Sequence, residues 1–508
     1  MRDGGNEVKQ GPQFSEVLPY PLGPGSWADQ ASARCTVPER STSTALGRRR
    51  GARGFRHEGL VPHGHAITPA ALPSPLHLLP GDGGFLPGDA DALYLPPVGS
   101  KPNPQRTVSP RQGKPQGRSK TGIHIMTAKL PIHVAIVGVG LVGEQVVHQL
   151  MSSRLRSSFQ ICSLHTSRRH LEVASSGSGD KTASELIDEL KKEQSGSKAY
   201  SGGVEEVVSY LADPSKLPRP LLVVDCTSSQ PFADAYPRIL ASHQTHLVTP
   251  NKKAFSGTDQ LYSEIEKTVQ ENGNMVFKEA TVGAGLPIIS TLRELVVTGD
   301  QLTKVEGIFS GTMSYIFNQF SQTTPTSTSF SEVVSVAKQL GYTEPNPADD
   351  LNGSDVARKL SILARNLSSP ISLPLGFESV PTRTLIPEPL AEVNDPVEFM
   401  STLPQFDAQY GRFRDEAFTK GEVMRYVGII DLTDPSKPLV KAGLERYPFN
   451  HPFATMKGSD NIISFHSKRY ASSPLIVQGS GAGAEVTAMG VVGDMIKVVE
   501  RLIGRNIN

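Results

Sequence analysis

The chain has 508 residues, with 51 Lys+Arg against 50 Asp+Glu, 37% hydrophobic residues and three cysteines. Residues 1–125 hold 17 Pro and 18 Gly and carry 15 basic and 9 acidic side chains, which leaves 36 basic and 41 acidic for the rest. The mildly acidic body excludes a basic nucleic-acid-binding module. Cys35, Cys162 and Cys226 are too few for a disulfide framework, and no apolar run reaches the 18 residues of a membrane span.

Residues 1–125 read as a disordered extension, since Pro/Gly-rich turns such as LLPGDGGFLPGD (78–89) break any periodicity. The Arg-rich RRRGARGFR (48–56) allows a targeting segment, and Met126, just ahead of a buried strand, allows a gene-model overrun. From there strands alternate with helical spacing. Strands are expected at 132–140, 159–166, 220–229, 246–255 and 274–285, with helices at 141–153 and 184–194. That alternation implies βαβ units and a parallel sheet. Beyond 286 the order changes. Helices are expected at 286–299, 314–320, 329–345 and 353–367, and a strand at 303–311. Alternating strands follow at 424–432, 438–447, 461–470 and 474–481, then a last helix at 487–503. The fold class is α/β with a second, α+β region. The Pro-rich stretch 368–420 is assigned only to that second region.

GVGLVG (138–143) matches the G-x-G-x-x-G pattern where it carries mechanism, between a buried strand and a helix. Gly138 permits the tight turn, Gly140 lets backbone approach a pyrophosphate, and Gly143 lets helix and strand pack closely. The second strand ends in His165, Thr166, Ser167, Arg168 and Arg169, with no acid for a ribose hydroxyl. The arginines suit a 2′-phosphate, so NADP is favoured and NAD stays open. Thr227 and Ser228 end the third strand and belong near the nicotinamide half or cap a helix. Lys252 and Lys253 share that rim.

In 337–359, Glu344, Asp349, Asp350 and Asp355 crowd one turn and helix start, and Lys359 follows Asp355 by four residues. Residues i and i+4 share a helix face. The pair reads as an exposed ion pair or as an acid–base lysine with its carboxylate, and oxidation of an alcohol needs a group to take the hydroxyl proton.

NKKAF (251–255), EATVGAGLPIIS (279–290), IFSGTMSYIFN (308–318), GYTEPNPADDLNGSDVARK (341–359), HPFATMKGSDNIIS (451–464) and QGSGAGAEVTAMGVVGD (478–494) together resemble homoserine dehydrogenase of the monofunctional fungal type, over residues 126–508. The resemblance implies NAD(P)-dependent interconversion of L-homoserine and L-aspartate 4-semialdehyde, in threonine, methionine and isoleucine biosynthesis, by a cytoplasmic homodimer. It implies an NAD(P)-binding Rossmann domain at 126–278 completed by 484–508, a catalytic domain at 279–422 and dimerisation strands at 423–483. By matching position, Lys359 and Asp355 are the catalytic residues. Glu344, Asp355 and Lys253 bind substrate. Gly138, Val139, Gly140, Leu141, Val142, Gly143, Arg168, Thr227, Ser228, Lys253 and Gly483 contact the cofactor. Glu279, Val282, Ala284 and Leu286 hold a sodium ion, chiefly through carbonyls. No aspartokinase-like or ACT-type segment is visible.

Two rivals make distinct demands. An aspartate-semialdehyde dehydrogenase needs a nucleophilic cysteine, and neither Cys162 nor Cys226 lies near a His motif. A dinucleotide-binding sensor would have lost Glu344, Asp355, Lys359 or Lys253, and all four are present.

Overall fold

The computed structural model describes residues 131–152, 154–173, 181–192 and 197–504. The expectation for residues 1–125 lies outside the described residues. The first sheet contains β1 (Ile132–Val137), β2 (Phe159–His165), β3 (Arg169–Glu172), β4 (Lys198–Ala199), β5 (Leu221–Asp225), β6 (Thr245–Val248) and β7 (Val276–Phe277). Their order is β4-β3-β2-β1-β5-β6-β7. The five strands from β2 to β7 are parallel, while β3 and β4 form an antiparallel edge. All five residues of β5 are buried, as parallel strands covered on both faces require. Strand order reverses between β1 and β5, so the loops after Val137 and Asp225 flank a crevice at the carboxyl edge.

The last helix, Ala484–Ile503, returns to this sheet. Its Ala488, Val491, Val492, Met495, Val498 and Val499 share one core with Val146, Val147 and Leu150 of the Leu141–Leu150 helix and with Ile132, Val134 and Ile136.

The second sheet is antiparallel throughout: β8 (Leu302–Ile308), β9 (Glu422–Asp431), β10 (Leu439–Pro448), β11 (Asn461–Ser467) and β12 (Leu475–Gly479), in the order β10-β9-β8-β11-β12. Its central strand, β8, thus comes from far earlier in the chain than its neighbours. The Ser354–Ala364 helix lies close on this sheet because Gly428 of β9 has no side chain there. A Cβ at Gly428 would come within 2.8 Å of Leu360.

Local outcomes differ from the sequence reading at several places, among them the unexpected Gly203–Ala212 helix. The strand expected over 274–285 is only two residues long, and a 3-10 turn, Glu279–Thr281, follows it. Gly283 and Ala284 then adopt left-handed φ values of 80° and 54°, which no strand accommodates. The 14-residue Asp259–Asn272 helix is absent from the sequence expectation, although Thr258 caps its start and left-handed Gly273 ends it. Inside 368–420 the Asp407–Thr419 helix buries only Tyr410 and Ala417, so its apolar pattern is faint. Among the described residues, no helix is long and apolar enough to cross a membrane.

Candidate active site

The glycine turn forms at the crevice between β1 and β5. Gly138 has φ 86°, and a Cβ there would lie 2.7 Å from the Thr227 methyl. A Cβ on Gly143 would overlap the Gly138 carbonyl, whereas one on Gly140 would meet nothing within 4 Å. Gly140 therefore faces open space at the start of a helix that has no side-chain cap. The N–H groups of Gly138 and Val139 both donate to the His165 carbonyl, at 2.9 and 3.0 Å, so the end of β2 pins the loop. Leu141 is 83% exposed beside it and Val142 half-buried. These residues fit a dinucleotide pyrophosphate: unhindered backbone at a helix N-terminus.

The two arginines after β2 part company. Arg169 donates from Nε to Ser197 Oγ at 2.9 Å and from its terminal nitrogen to the Ser197 carbonyl at 3.0 Å. Arg168 stays exposed at the loop. After β5, Thr227 donates its N–H to Asp225 Oδ1 at 2.7 Å, Ser228 is exposed, and Ser229 caps the next helix. Asp225 is fully buried. It accepts from Tyr236 Oη at 2.5 Å and from Asn251 Nδ2 at 3.1 Å, and so locks the 225–229 loop to the 249–251 turn ahead of Lys252. Gly483, at φ 112°, opens the last helix with space on its Cβ side.

Lys359 lies in the Ser354–Ala364 helix and is 7% exposed. Its Nζ stands 2.7 Å from Asp355 Oδ2 and donates to the Phe309 carbonyl at 2.6 Å. An ammonium has three donors, so one remains for a reacting oxygen. Burial pushes the Lys359 ammonium below its ordinary value and the Lys252 charge adds to this, against the upward pull of Asp355. Burial would raise the Asp355 carboxyl, but Lys359 and Lys252 together hold it well below the usual carboxylate range. The lysine of this pair is therefore buried, while the Asp355 side chain remains 42% exposed.

Sequence reasoning did not single out Lys252 for this pairing, yet its Nζ is 3.3 Å from Asp355 Oδ1. Lys253, which the resemblance selected, is half-buried and donates its backbone N–H to Asn251 Oδ1 at 3.1 Å. Adjacent lysines in one turn give no sequence signal for which faces the helix. Asp350 was noted but given no role. It accepts from Thr312 Oγ1 at 2.9 Å and from the Glu344 N–H at 2.8 Å. Burial first, then the charges of Glu344 and Asp355, push its carboxyl up to about 6. Glu344 itself is exposed at the mouth of this cluster.

The Glu279 turn lies between the first sheet and the Ile288–Val297 helix. The buried Glu279 carboxylate accepts the N–H groups of Ile289 at 2.7 Å and Ser290 at 2.9 Å, with Lys497 at 3.6 Å, and burial raises its pKa. Val282 and Ala284 are buried, and a Cβ on Gly490 would lie 2.6 Å from the Ala284 carbonyl. The Leu286 carbonyl accepts from Ile288 N–H at 2.9 Å and keeps a second lone pair. Backbone carbonyls beside a carboxylate have the donor chemistry that a hard cation takes. Burial pushes the Cys162 thiol up to about 12 and the Cys226 thiol above its ordinary value, which disfavours either thiolate as a nucleophile.

A Rossmann-type crevice beside a buried, carboxylate-paired lysine defines a nicotinamide-dinucleotide-dependent oxidoreductase acting on an alcohol. Comparison with known proteins makes this specific. A family model described as homoserine dehydrogenase, NAD binding domain, matches residues 138–279, and one described as homoserine dehydrogenase matches 287–496. Homoserine dehydrogenase of Schizosaccharomyces pombe is 44% identical over 378 residues, covering 73% of this chain and 96% of that one. That of Saccharomyces cerevisiae is 41% identical over 371 residues, covering 73% and 99%. A Candida auris crystal structure, of a protein described as of unknown function, is 40% identical with a TM-score of 0.66, covering 73% and 99%. The chain belongs to the homoserine dehydrogenase family, in its monofunctional fungal type. It is an NAD(P)-dependent oxidoreductase that interconverts L-homoserine and L-aspartate 4-semialdehyde in threonine and methionine biosynthesis.

The raised Asp350 pKa has a consequence for stability. The folded state favours the protonated carboxyl, so this contribution is present below pH ~4 and is lost as pH rises towards about 6. Asp350→Asn removes that dependence. Its unfolding free energy relative to wild type should rise between pH 4 and 7 by about 1–2 kcal/mol, after discounting for the partly solvent-facing side chain. Urea titrations across that range measure the difference, and a flat difference contradicts it.

Proposed function

We propose that Lys359 is the acid–base group of this reaction, and the observation carrying the proposal is its buried ammonium, held by Asp355 and the Phe309 carbonyl with one donor left over. The bound nicotinamide supplies the hydride acceptor. As hydride leaves C4 of homoserine, neutral Lys359 takes the hydroxyl proton; in the reductive direction it returns a proton to the carbonyl oxygen. Asp355, between Lys359 and Lys252, keeps both lysines at the reacting end and serves as proton-relay partner. Glu344 and Asp350 present carboxylates to the substrate ammonium. The Gly138–Gly143 turn, Thr227, Ser228, Lys253 and Gly483 are cofactor contacts in this reading.

The same reading gives further assignments. The Rossmann domain is 126–278 completed by 484–508, the catalytic domain 279–422 and the dimerisation strands 423–483. A homodimer joined through the antiparallel sheet is supported by the exposed Leu439 and Ile476 on β10 and β12. A sodium ion at Val282, Ala284, Leu286 and Glu279 is supported by the donor chemistry of that turn. The likeness to the fungal enzymes supports a cytoplasmic location in this reading.

With the full chain, homoserine-dependent reduction of NADP+ and NAD+, followed by nicotinamide absorbance, is expected to show turnover. Lys359→Ala should lose most of kcat, on the order of 100-fold or more, while still binding cofactor. Near wild-type turnover in that variant would sink the role. Arg168→Ala should raise KM for NADP+ about tenfold, the worth of one charge-assisted hydrogen bond, and leave KM for NAD+ unchanged. Replacing sodium by choline in the same assay should lower activity, and equal rates in both salts would remove the cation from the scheme.

A further inference from the structure

Asn461, the first residue of β11, is 0% exposed, and neither the cofactor turn nor the substrate carboxylates account for it. Its Nδ2 donates to the Phe309 carbonyl at 2.9 Å, the same oxygen that receives the Lys359 ammonium at 2.6 Å. A carbonyl only accepts, so the NH2 end of the amide must face it, and this fixes which way the side chain points. The opposite atom, Oδ1, is buried without a hydrogen-bond partner. Gly481, in the glycine run between β12 and the last helix, lies directly against this amide. A Cβ there would overlap the Asn461 nitrogen and lie 2.7 Å from Oδ1, and its three nearest neighbours are all atoms of the Asn461 side chain.

We propose that Asn461 is a positioning residue for the Lys359 ammonium, acting through the Phe309 carbonyl, and that position 481 must be glycine to leave room for its amide. The proposal rests on the acid–base role assigned to Lys359. Asn461 occupies one lone pair of Phe309 O and holds that oxygen in place. Lys359 then spends one donor on a fixed acceptor and one on Asp355, and its third N–H, or its lone pair when neutral, has a single direction left. Because Asn461 shares the carbonyl, the ammonium gains less from it, which favours the neutral lysine that accepts the homoserine proton. The other charged groups around Lys359 are Asp355 on its own helix, Lys252 from the turn after β6, and Asp350 and Glu344 behind Asp355. Asp460 precedes Asn461. At Phe309 itself, β8 presents a neutral carbonyl and β11 a neutral amide.

The test compares kcat–pH profiles for homoserine oxidation by the full chain in wild type, Asn461→Ala, Asn461→Asp, Gly481→Ala and the Asn461→Ala/Gly481→Ala double variant. Both Asn461 variants should lower kcat about tenfold or more through lost alignment, with KM for homoserine and NADP+ changed less than about threefold. The rising limb of kcat should move to higher pH by about half a unit in Asn461→Ala, and further in Asn461→Asp, whose carboxylate favours the charged lysine. Gly481→Ala should reproduce the kcat loss, and the double variant should be no worse than Asn461→Ala, since no amide is left to displace. An unmoved limb in Asn461 variants with wild-type melting temperatures overturns the proposal, as do losses that multiply in the double variant. Should Asn461→Asp fail to fold, Asn461→Ala and the double-variant comparison decide the matter alone. Full activity in Lys359→Ala would instead remove the underlying role, whereas an inactive Lys359→Ala with an unmoved limb in the Asn461 variants removes only this inference.

Discussion

A lysine ammonium taken out of water must be given partners, and much of the second region is arranged to give Lys359 two. Asp355 comes from one turn earlier on the same helix, at the spacing that places side chains on one face. The Phe309 carbonyl comes from just past the end of β8, where the strand has stopped pairing and its oxygen turns toward the helix. Bringing helix and strand end together requires a close approach over β9, which Gly428 permits. It also requires the helix to begin where it does. Gly353 opens it in a left-handed conformation at φ 79°, and a Cβ there would overlap the Tyr426 hydroxyl, so both backbone and space call for glycine. The cost of burying the charge is thus met by geometry that several distant segments share.

The first sheet solves a different problem, that of presenting unhindered backbone at a strand edge. The solution again depends on one buried acid. Asp225 ends β5 and takes hydrogen bonds from Thr227, Tyr236 and Asn251. Burial raises its pKa, and these donors work against that rise. The Asn251 bond positions the turn that delivers Lys252 to Asp355, so the strand-end acid and the helix acid sit at two ends of one short path. Cofactor loop and acid–base cluster are linked through covalent chain, hydrogen bonds and the Lys252–Asp355 ion pair.

The sequence made the parallel sheet legible because β1 and β5 are nearly continuous apolar runs bounded by glycine, proline or hydroxyl residues. The Asp355–Lys359 pair was legible through its helical spacing. What stayed hidden depended on contacts distant in the chain. Lys252 and Lys253 are alike until a tertiary fold decides which faces Asp355. Asp350 looks like any acid in a crowded turn, and only the Thr312 hydroxyl and the Glu344 N–H, brought in by folding, raise it above its neighbours in interest. Strand 274–285 was overestimated because alternating apolar and small residues mimic a strand when φ cannot be seen. Asn461 carries no local signal, since its partner lies 152 residues away.

That separation matters for how the two chemical events are held together. A hydride and a proton must leave one substrate carbon–oxygen unit in fixed relative directions, so the group that takes the proton must be indexed to the element that holds the cofactor. In this chain the glycine run 479–483 begins at the end of β12, passes against Asn461, and becomes the helix that packs under the cofactor turn. A side chain at Gly481 would push on the amide that steadies the Phe309 carbonyl. A displaced carbonyl would release the ammonium that Asp355 alone would then have to hold. The last helix is therefore more than a cover for the first sheet. The chain that leads into it passes the Asn461 amide at Gly481, where the absence of a side chain leaves room for that amide.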